Sequence, residues 1–209
     1  MNYTELKTNI EDICENSFTD DQLAMFTQQA EQKIYNTVQI PALRRNVTGN
    51  VSSGNKYLST PSDFLYSYSL AVVDGDGDYT YLLNKDVNFI REAYPNASDV
   101  GVPRHYAYFD DSTFIVGPTP NASYEMELHY GYYPESIVTA GTTWLGDEFD
   151  SALLNGALIE AIRFMKGEQD VVAMYEKLYV QAIGLLKNLG DGKLREDTYR
   201  SGQVRNPVS

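Results

Sequence analysis

Apolar positions recur at helical spacing toward both ends of the chain and give way to alternation in the middle. Residues 4–15 place Leu6, Ile10 and either Ile13 or Cys14 on one face of a short helix. Thr19-Asp20-Asp21-Gln22 has the spacing of a capping box and opens a second helix that runs to about Val38. Leu23, Phe26, Ala30, Ile34 and Val38 form its stripe, Gln28, Gln29, Glu31 and Lys33 are expected to face water, and Pro41 ends it. Residues 144–190 read as one helical hairpin. Asp147 or Asp150 is expected to cap its first helix, whose apolar residues Leu153, Leu154, Ala157, Leu158, Ala161, Ile162, Phe164 and Met165 make a face too wide for one partner. Lys166 and Gly167 suit its C-terminus. The second helix carries Val171, Tyr175, Leu178, Ala182, Leu185 and Leu189 in steps of four and three, a seam that wants a partner helix. Gly184 costs that helix about 1 kcal/mol relative to Ala, and Gly190-Asp191-Gly192 is expected to end it.

Between Arg44 and Tyr133 the helix formers are replaced by Gly, Asn, Ser, Thr and Tyr, with turn signals every eight to twelve residues. Residues 46–52 and 56–59 are expected to pair as a hairpin through Ser53-Gly54-Asn55. Further strands are expected at 65–73, 79–83, 105–109, 113–116 and 124–132, with a short helix after Asn84 that holds Val87, Ile90 and Ala93 and stops at Pro95. The fold class is therefore α+β. Residues 1–43 and 135–190 are expected to make an α-helical bundle from the N- and C-terminal helices, with an antiparallel sheet or small sandwich inserted at 44–134. Residues 191–209 have no stripe long enough to bury and read as a flexible tail.

Composition narrows the functions. The formal charge of −13 over 209 residues argues against a grip on nucleic acid, which needs a basic surface. The lone Cys14 excludes an internal disulfide and reads as a structural thiol. No stretch approaches a membrane span, and Met1-Asn2-Tyr3-Thr4-Glu5 does not read as a signal peptide, so the N-x-S/T sequons carry no expectation of glycosylation.

Candidate chemistry is sparse. Asp74-Gly75-Asp76-Gly77-Asp78 looks like a calcium loop, yet residues 79–85 offer no bidentate glutamate, and a hairpin turn is the better reading. His105 and His129 each sit in a Tyr-rich strand with no cysteine or second histidine at metal spacing. No nucleophile elbow or phosphate loop is present, so no catalytic residue, metal or cofactor is assigned. Many of the seventeen tyrosines, among them Tyr66, Tyr68, Tyr79, Tyr81, Tyr106, Tyr108, Tyr130, Tyr132 and Tyr133, alternate along strands. Exposed tyrosine serves a protein interface or a sugar-stacking platform, although tyrosine also simply favours strands.

Several segments together resemble the bacteriophage head-to-tail adaptor (connector, or head-completion) proteins. They are STPSDFL at 59–65, NFIREAYP at 88–95 and GVPRHYAYFDDSTFIVGPTPNASYEMELHYGYYPESI at 101–137, followed by TTWLGDEFDSALLNGALIEAIRFMKGEQDVVAMYEKLYVQAIGLLKNL at 142–189. The resemblance implies a structural virion protein, made in the host bacterial cytoplasm and placed in the neck of the particle. It implies a ring of twelve copies beneath the portal protein, through which DNA passes without specific binding. A tail component (nozzle, tail tube or tail terminator) would dock below. The broad stripes offer Leu153, Leu154, Tyr175, Leu178 and Tyr179 as ring-interface candidates. The position of the tail offers Leu194, Arg195, Tyr199, Arg200, Val204 and Arg205 as portal-binding candidates. The competing reading is a carbohydrate-binding β-module of a tail or fibre protein, in which tyrosines form a flat row on one sheet face.

Overall fold

The computed structural model describes residues 1–194, with side chains through Gly190. The chain divides into two compact units, one formed by Met1–Leu43 and the chain from Pro134 on, the other by Arg44–Tyr133. Helix α1 (Tyr3–Cys14) starts in a capping box between Asn2 and Glu5. Leu6 and Ile10 are buried, and half-buried Cys14 continues their face while Ile13 is exposed. Burial pushes the Cys14 thiol above its ordinary pKa, which disfavours the reactive thiolate. Helix α2 (Asp20–Thr37) begins at the predicted Thr19–Gln22 box and buries the whole predicted stripe.

The second unit holds β1 (Arg44–Val51), β2 (Tyr57–Ser59), β3 (Phe64–Val73), β4 (Tyr79–Tyr81), β5 (Leu83–Asn84), α3 (Val87–Ala93), β6 (Val100–Gly101), β7 (His105–Asp110), β8 (Thr113–Gly117), β9 (Thr119–Pro120) and β10 (Tyr124–Tyr132). One four-stranded sheet has the order β1-β10-β3-β4, another β2-β8-β7-β5, and β6 pairs with β9. The hairpin expected through Ser53-Gly54-Asn55 does not form. Instead β1 pairs along its full length with β10, from Arg44 opposite Gly131 to Val51 opposite Tyr124, and β2 joins the other sheet. The long β10 offers β1 a complete ladder that three-residue β2 cannot, and a bond from Gly54 N to Pro120 O turns the chain away. The unit is not wholly antiparallel, because β5 runs parallel to β7 and β6 to β9. Leu70, Val72, Met126, Leu128 and Tyr130 of the first sheet share one core with Tyr106, Phe114 and Val116 of the second. Residues 79–83 form two short strands rather than one. Leu82 donates to Leu70 O in the first sheet and Leu83 to Arg104 O beside the second, so the chain changes sheets over one buried residue.

The acidic run is the turn between β3 and β4. One Asp74 carboxylate oxygen accepts from Asp76 N and Asp78 N at 3.0 and 2.9 Å, and Gly77 takes the positive φ of 85° that the turn needs. Asp86, not Asn84, caps α3, because Asn84 is held in β5 opposite Tyr106.

The chain re-enters the helical unit through α4 (Ile137–Ala140) and α5 (Trp144–Glu148), both short. Neither Asp147 nor Asp150 caps the helices that follow. The Thr143 hydroxyl caps α5, and α6 (Asp150–Phe164) begins directly after Phe149 without a side-chain cap. The left-handed residue after α6 is Lys166, with φ 56°, rather than Gly167. Helix α7 (Gln169–Leu194) runs through Gly190-Asp191-Gly192 instead of stopping there. Gly190 serves packing: a Cβ on it would stand 2.6 Å from Ile40 Cγ2 and 2.8 Å from Gln39 O. Helix α6 packs on α1, α2 and α7, and its buried residues join Ala182, Ile183 and Leu186 of α7 in one core.

Glu31 departs most from expectation. It is 3% exposed instead of facing water. One carboxylate oxygen accepts from Ile137 N at 2.8 Å and the other from the Ser136 hydroxyl at 2.6 Å, so α2 satisfies the start of α4 from 105 residues away. Burial raises its pKa above the usual carboxylate value, and the two hydrogen bonds oppose that rise more weakly.

Two sets of variants test this packing. Gly190→Ala is expected to destabilise the chain by about 1–3 kcal/mol by overpacking. Gly184→Ala, which meets open space, is expected to stabilise it by about 1 kcal/mol. Urea titration of both reads the contrast directly. Glu31→Ala leaves Ile137 N unpaired and is expected to cost about 1–3 kcal/mol. Glu31→Gln keeps an acceptor without the buried charge. Because the folded pKa of Glu31 lies above its unfolded value, the stabilising effect of protonation is present at low pH and is lost as pH rises through the folded pKa. The Gln variant should therefore gain on the wild type as the urea midpoint is followed upward from about pH 4.

Candidate functional site

The face that α7 leaves uncovered is its most distinctive surface. Tyr175, Tyr179, Ala182, Ile183 and Leu186 turn inward, whereas Val171, Met174, Leu178, Val180, Leu185 and Leu189 are exposed. At 100° per residue all of the exposed six but Val180 fall within one narrow stripe, about 27 Å long from first to last. Met174 is 50% exposed and Leu185 68%. Val171, Leu178, Leu185 and Leu189 belong to the seam read from the sequence, but that seam mixes inward and outward positions. The core stripe, centred near Tyr179, lies beside it.

The ring-interface candidates separate on this basis. Leu153 is buried within its own unit, so it offers no surface to a neighbour. Leu154, Tyr175 and Tyr179 are partly buried against that same core. The Tyr179 ring lies 3.2 Å from where a Cβ on Gly156 would stand, and its hydroxyl is buried with no hydrogen-bond partner among the described residues. Burial raises the pKa of Tyr179, with the Glu160 charge adding to the effect. Leu178 alone of the five is an exposed large apolar side chain. Met174, absent from the candidates, completes the stripe, and its three- and four-residue spacing from Val171 and Leu178 is the signal that could have found it. Of the portal candidates, Leu194 ends α7 and its side chain, with Arg195, Tyr199, Arg200, Val204 and Arg205, lies outside the described residues.

The tyrosines of the β unit divide between the core shared by the two sheets and the outer face of the first sheet. Tyr106 and Tyr130 are buried in the core. Ser67 Oγ reaches the Tyr106 and Tyr108 hydroxyls at 2.8 and 2.7 Å across the core. On the outer face stand Tyr66, Tyr68, Tyr79 and Tyr81, all exposed. A register shift between His129 and Tyr130 leaves Tyr68 as the extra residue and brings it beside Tyr66, their hydroxyls 3.1 Å apart. That hydrogen bond, helped by burial, pushes the Tyr66 pKa to about 12. The Arg44 guanidinium lies 4.3 Å from the Tyr68 ring, and His129 packs on that ring at 4.9 Å. Tyr79 and Tyr81 stack at 6.1 Å, and Tyr79 donates to Glu127 at 2.8 Å. The face is thus a band of tyrosines with a cation at one end and carboxylates at the other.

Both histidines are bound into aromatic contacts. His105 Nδ1 shares a 2.8 Å hydrogen bond with the Tyr94 hydroxyl. Its pKa is lowered by burial and by Lys85 and Arg104, while that of His129 is lowered by burial and Arg44 against a smaller opposing effect of Glu127. Among the described residues no group of three or more His, Cys, Asp or Glu is placed to hold a metal, and no helix is long and apolar enough to cross a membrane. What the described surfaces offer is contact area. A family model described as SU10 adaptor protein matches residues 1–207, and no curated protein matches the chain.

Proposed function

The chain belongs to the SU10 adaptor protein family, structural proteins of the phage head-to-tail connection, and from that premise we propose that it closes into a ring of twelve copies beneath the portal. In this reading the helices form a bundle that builds the ring, with the β unit as an insert. The observation that carries it is the exposed apolar stripe of α7. Val171, Met174, Leu178, Leu185 and Leu189 are left uncovered among the described residues and would lose water against another chain. A stripe on one helix facing a different surface of the next copy makes a heterologous contact, the kind that closes rings. Residues 193–209 reach the portal, with Leu194, Arg195, Tyr199, Arg200, Val204 and Arg205 as contacts. The tyrosine band of the β unit faces the tail component that docks next. The net charge of −13 suits a channel through which DNA slides without sticking. Assembly takes place in the host bacterial cytoplasm.

One observation favours a second reading. Four exposed tyrosines on a single sheet face are also a platform for sugar rings, as in a carbohydrate-binding module of a tail or fibre protein. The two readings part on what the protein binds.

Negative-stain microscopy of the protein mixed with its cognate portal is expected to show a second ring stacked on the portal. Bare portals beside folded protein, together with binding on a glycan array, would move the assignment to the sugar platform. Leu178→Asp with Leu185→Asp is expected to leave far-UV circular dichroism unchanged and to reduce ring formation by at least tenfold, roughly the cost of burying unpaired charge. Deleting residues 193–209 is expected to preserve the fold and abolish portal docking. Retained docking would remove the assigned role of the C-terminal segment.

A further inference from the structure

The β unit holds a cavity of about 280 Å³ beside α3, lined by Lys56, Arg91, Tyr94, Asn96 and Thr119 among others. None of its lining residues is acidic, although acidic residues outnumber basic ones in the chain, 29 to 16. Neither Lys56 nor Arg91 makes an ion pair among the described residues, whereas Arg45 of the same unit is paired with Asp63 at 2.7 Å. Both cations instead lie over aromatic rings, Lys56 over Tyr57 at 5.7 Å and Arg91 over Phe109 at 5.9 Å. The wall behind them is fixed. The Tyr94 ring lies so close to Gly117 that a Cβ there would stand 2.6 Å from it, and its hydroxyl is tied to His105. The cavity is thus a firm-walled, partly open site with two positive charges that no carboxylate of the described residues pairs.

The same unit carries the complementary shape and charge. In the β3–β4 turn the Asp74 carboxylate holds the turn, whereas Asp76 and Asp78 take part through their backbones alone, Asp76 and Asp78 donating their N–H groups to Asp74 and Asp78 accepting from Asp74 N. Both are exposed and neither makes an ion pair among the described residues. The turn therefore presents two carboxylates at a hydrogen-bonded, exposed tip. It follows Val73, which pairs with Glu125 at the start of β10, and Thr119 of the cavity lies in β9 just ahead of that start. Tip and cavity belong to the same end of the unit. Copies related by rotation about one axis touch through patches at the same height, which this placement allows.

We infer that the cavity beside α3 receives the Asp76 and Asp78 carboxylates of a second copy's β3–β4 turn, pairing them with Lys56 and Arg91. The contact rests on the ring reading and adds to it. The helices supply non-directional apolar area, while the charged tip and cavity fix which neighbour sits where and in what register. A wrongly rotated neighbour leaves two cations and two carboxylates unpaired.

The test is charge exchange in the full-length chain assembled on its portal, read as adaptor copies per portal by microscopy at moderate salt. Lys56→Glu with Arg91→Glu, and separately Asp76→Lys with Asp78→Lys, are each expected to lower occupancy by roughly tenfold. All four changes in one chain are expected to restore it. Circular dichroism and urea midpoints of the variants separate lost contact from lost fold. Wild-type occupancy by either half-exchanged variant, or failure of the folded four-fold variant to recover, would overturn the contact and leave the ring standing. Absence of any ring with the unmodified chain removes the ring reading, and this contact with it.

Discussion

How closely other backbones approach α6 governs the helical unit. This helix is packed by α1, α2 and α7, and it can be because Ala152, Gly156, Ala157 and Ala161 keep its surface low. At Gly156 a Cβ would stand 3.0 Å from that of Ala30 and 3.2 Å from the Tyr179 ring, so even alanine would crowd the site. A helix packed in this way offers little apolar surface beyond Phe164 near its C-terminal end. The longest run of exposed apolar side chains in the unit falls to α7. Close packing at α6 and the exposed stripe of α7 are two results of one spatial constraint. The same constraint moves the proposed ring contact outward, from Leu153 to residues such as Leu178 and Leu185.

In the β unit the corresponding constraint is the shared core of two small sheets. Its inner layer takes Tyr106 and Tyr130 as core residues and satisfies the Tyr106 hydroxyl through Ser67. The bulge at Tyr68 then sends an additional tyrosine to the outside, next to Tyr66. One residue type thus supplies both the packing that fixes the sheets and the band that faces outward. The tyrosine count alone does not separate these roles; the register of each strand does.

The legible parts of the fold were those where local chemistry acts alone. The α2 box and stripe, the β3–β4 turn and the boundaries of β10 follow from caps, periodicity and turn residues within short windows. What the windows concealed depends on distant partners. The pairing of β1 with β10 joins residues far apart in the chain, and no nearby residue excludes the alternative hairpin. Glu31 looked like a surface residue because its partners, Ser136 and Ile137, are not its neighbours in sequence. The α7 seam was misread because its apolar residues cover more than one face, and only the position of α6 decides which face turns in. Gly190 resembled a stop signal, since closeness to Ile40 leaves no mark in the local sequence. For the candidate surfaces, residue type was readable and exposure was not.

The bond between Glu31 and the start of α4 spans the whole β segment, and chain order fixes when it can form. The β unit is continuous in sequence, so every strand it needs has been made by Tyr133. The helical unit cannot close at that stage, because α1 and α2 precede the β unit and their partner α6 follows it. A nascent chain emerges N-terminus first and folds unit by unit. The apolar stripe of α2 must therefore wait through the translation of the whole β segment, without its partner and open to aggregation. When residues 136 and 137 emerge, Glu31 is among the first groups of the waiting helices to gain a native partner. The α7 stripe follows α6 in the chain, so the surface proposed to join copies is made after the segments that fill each copy's own interior.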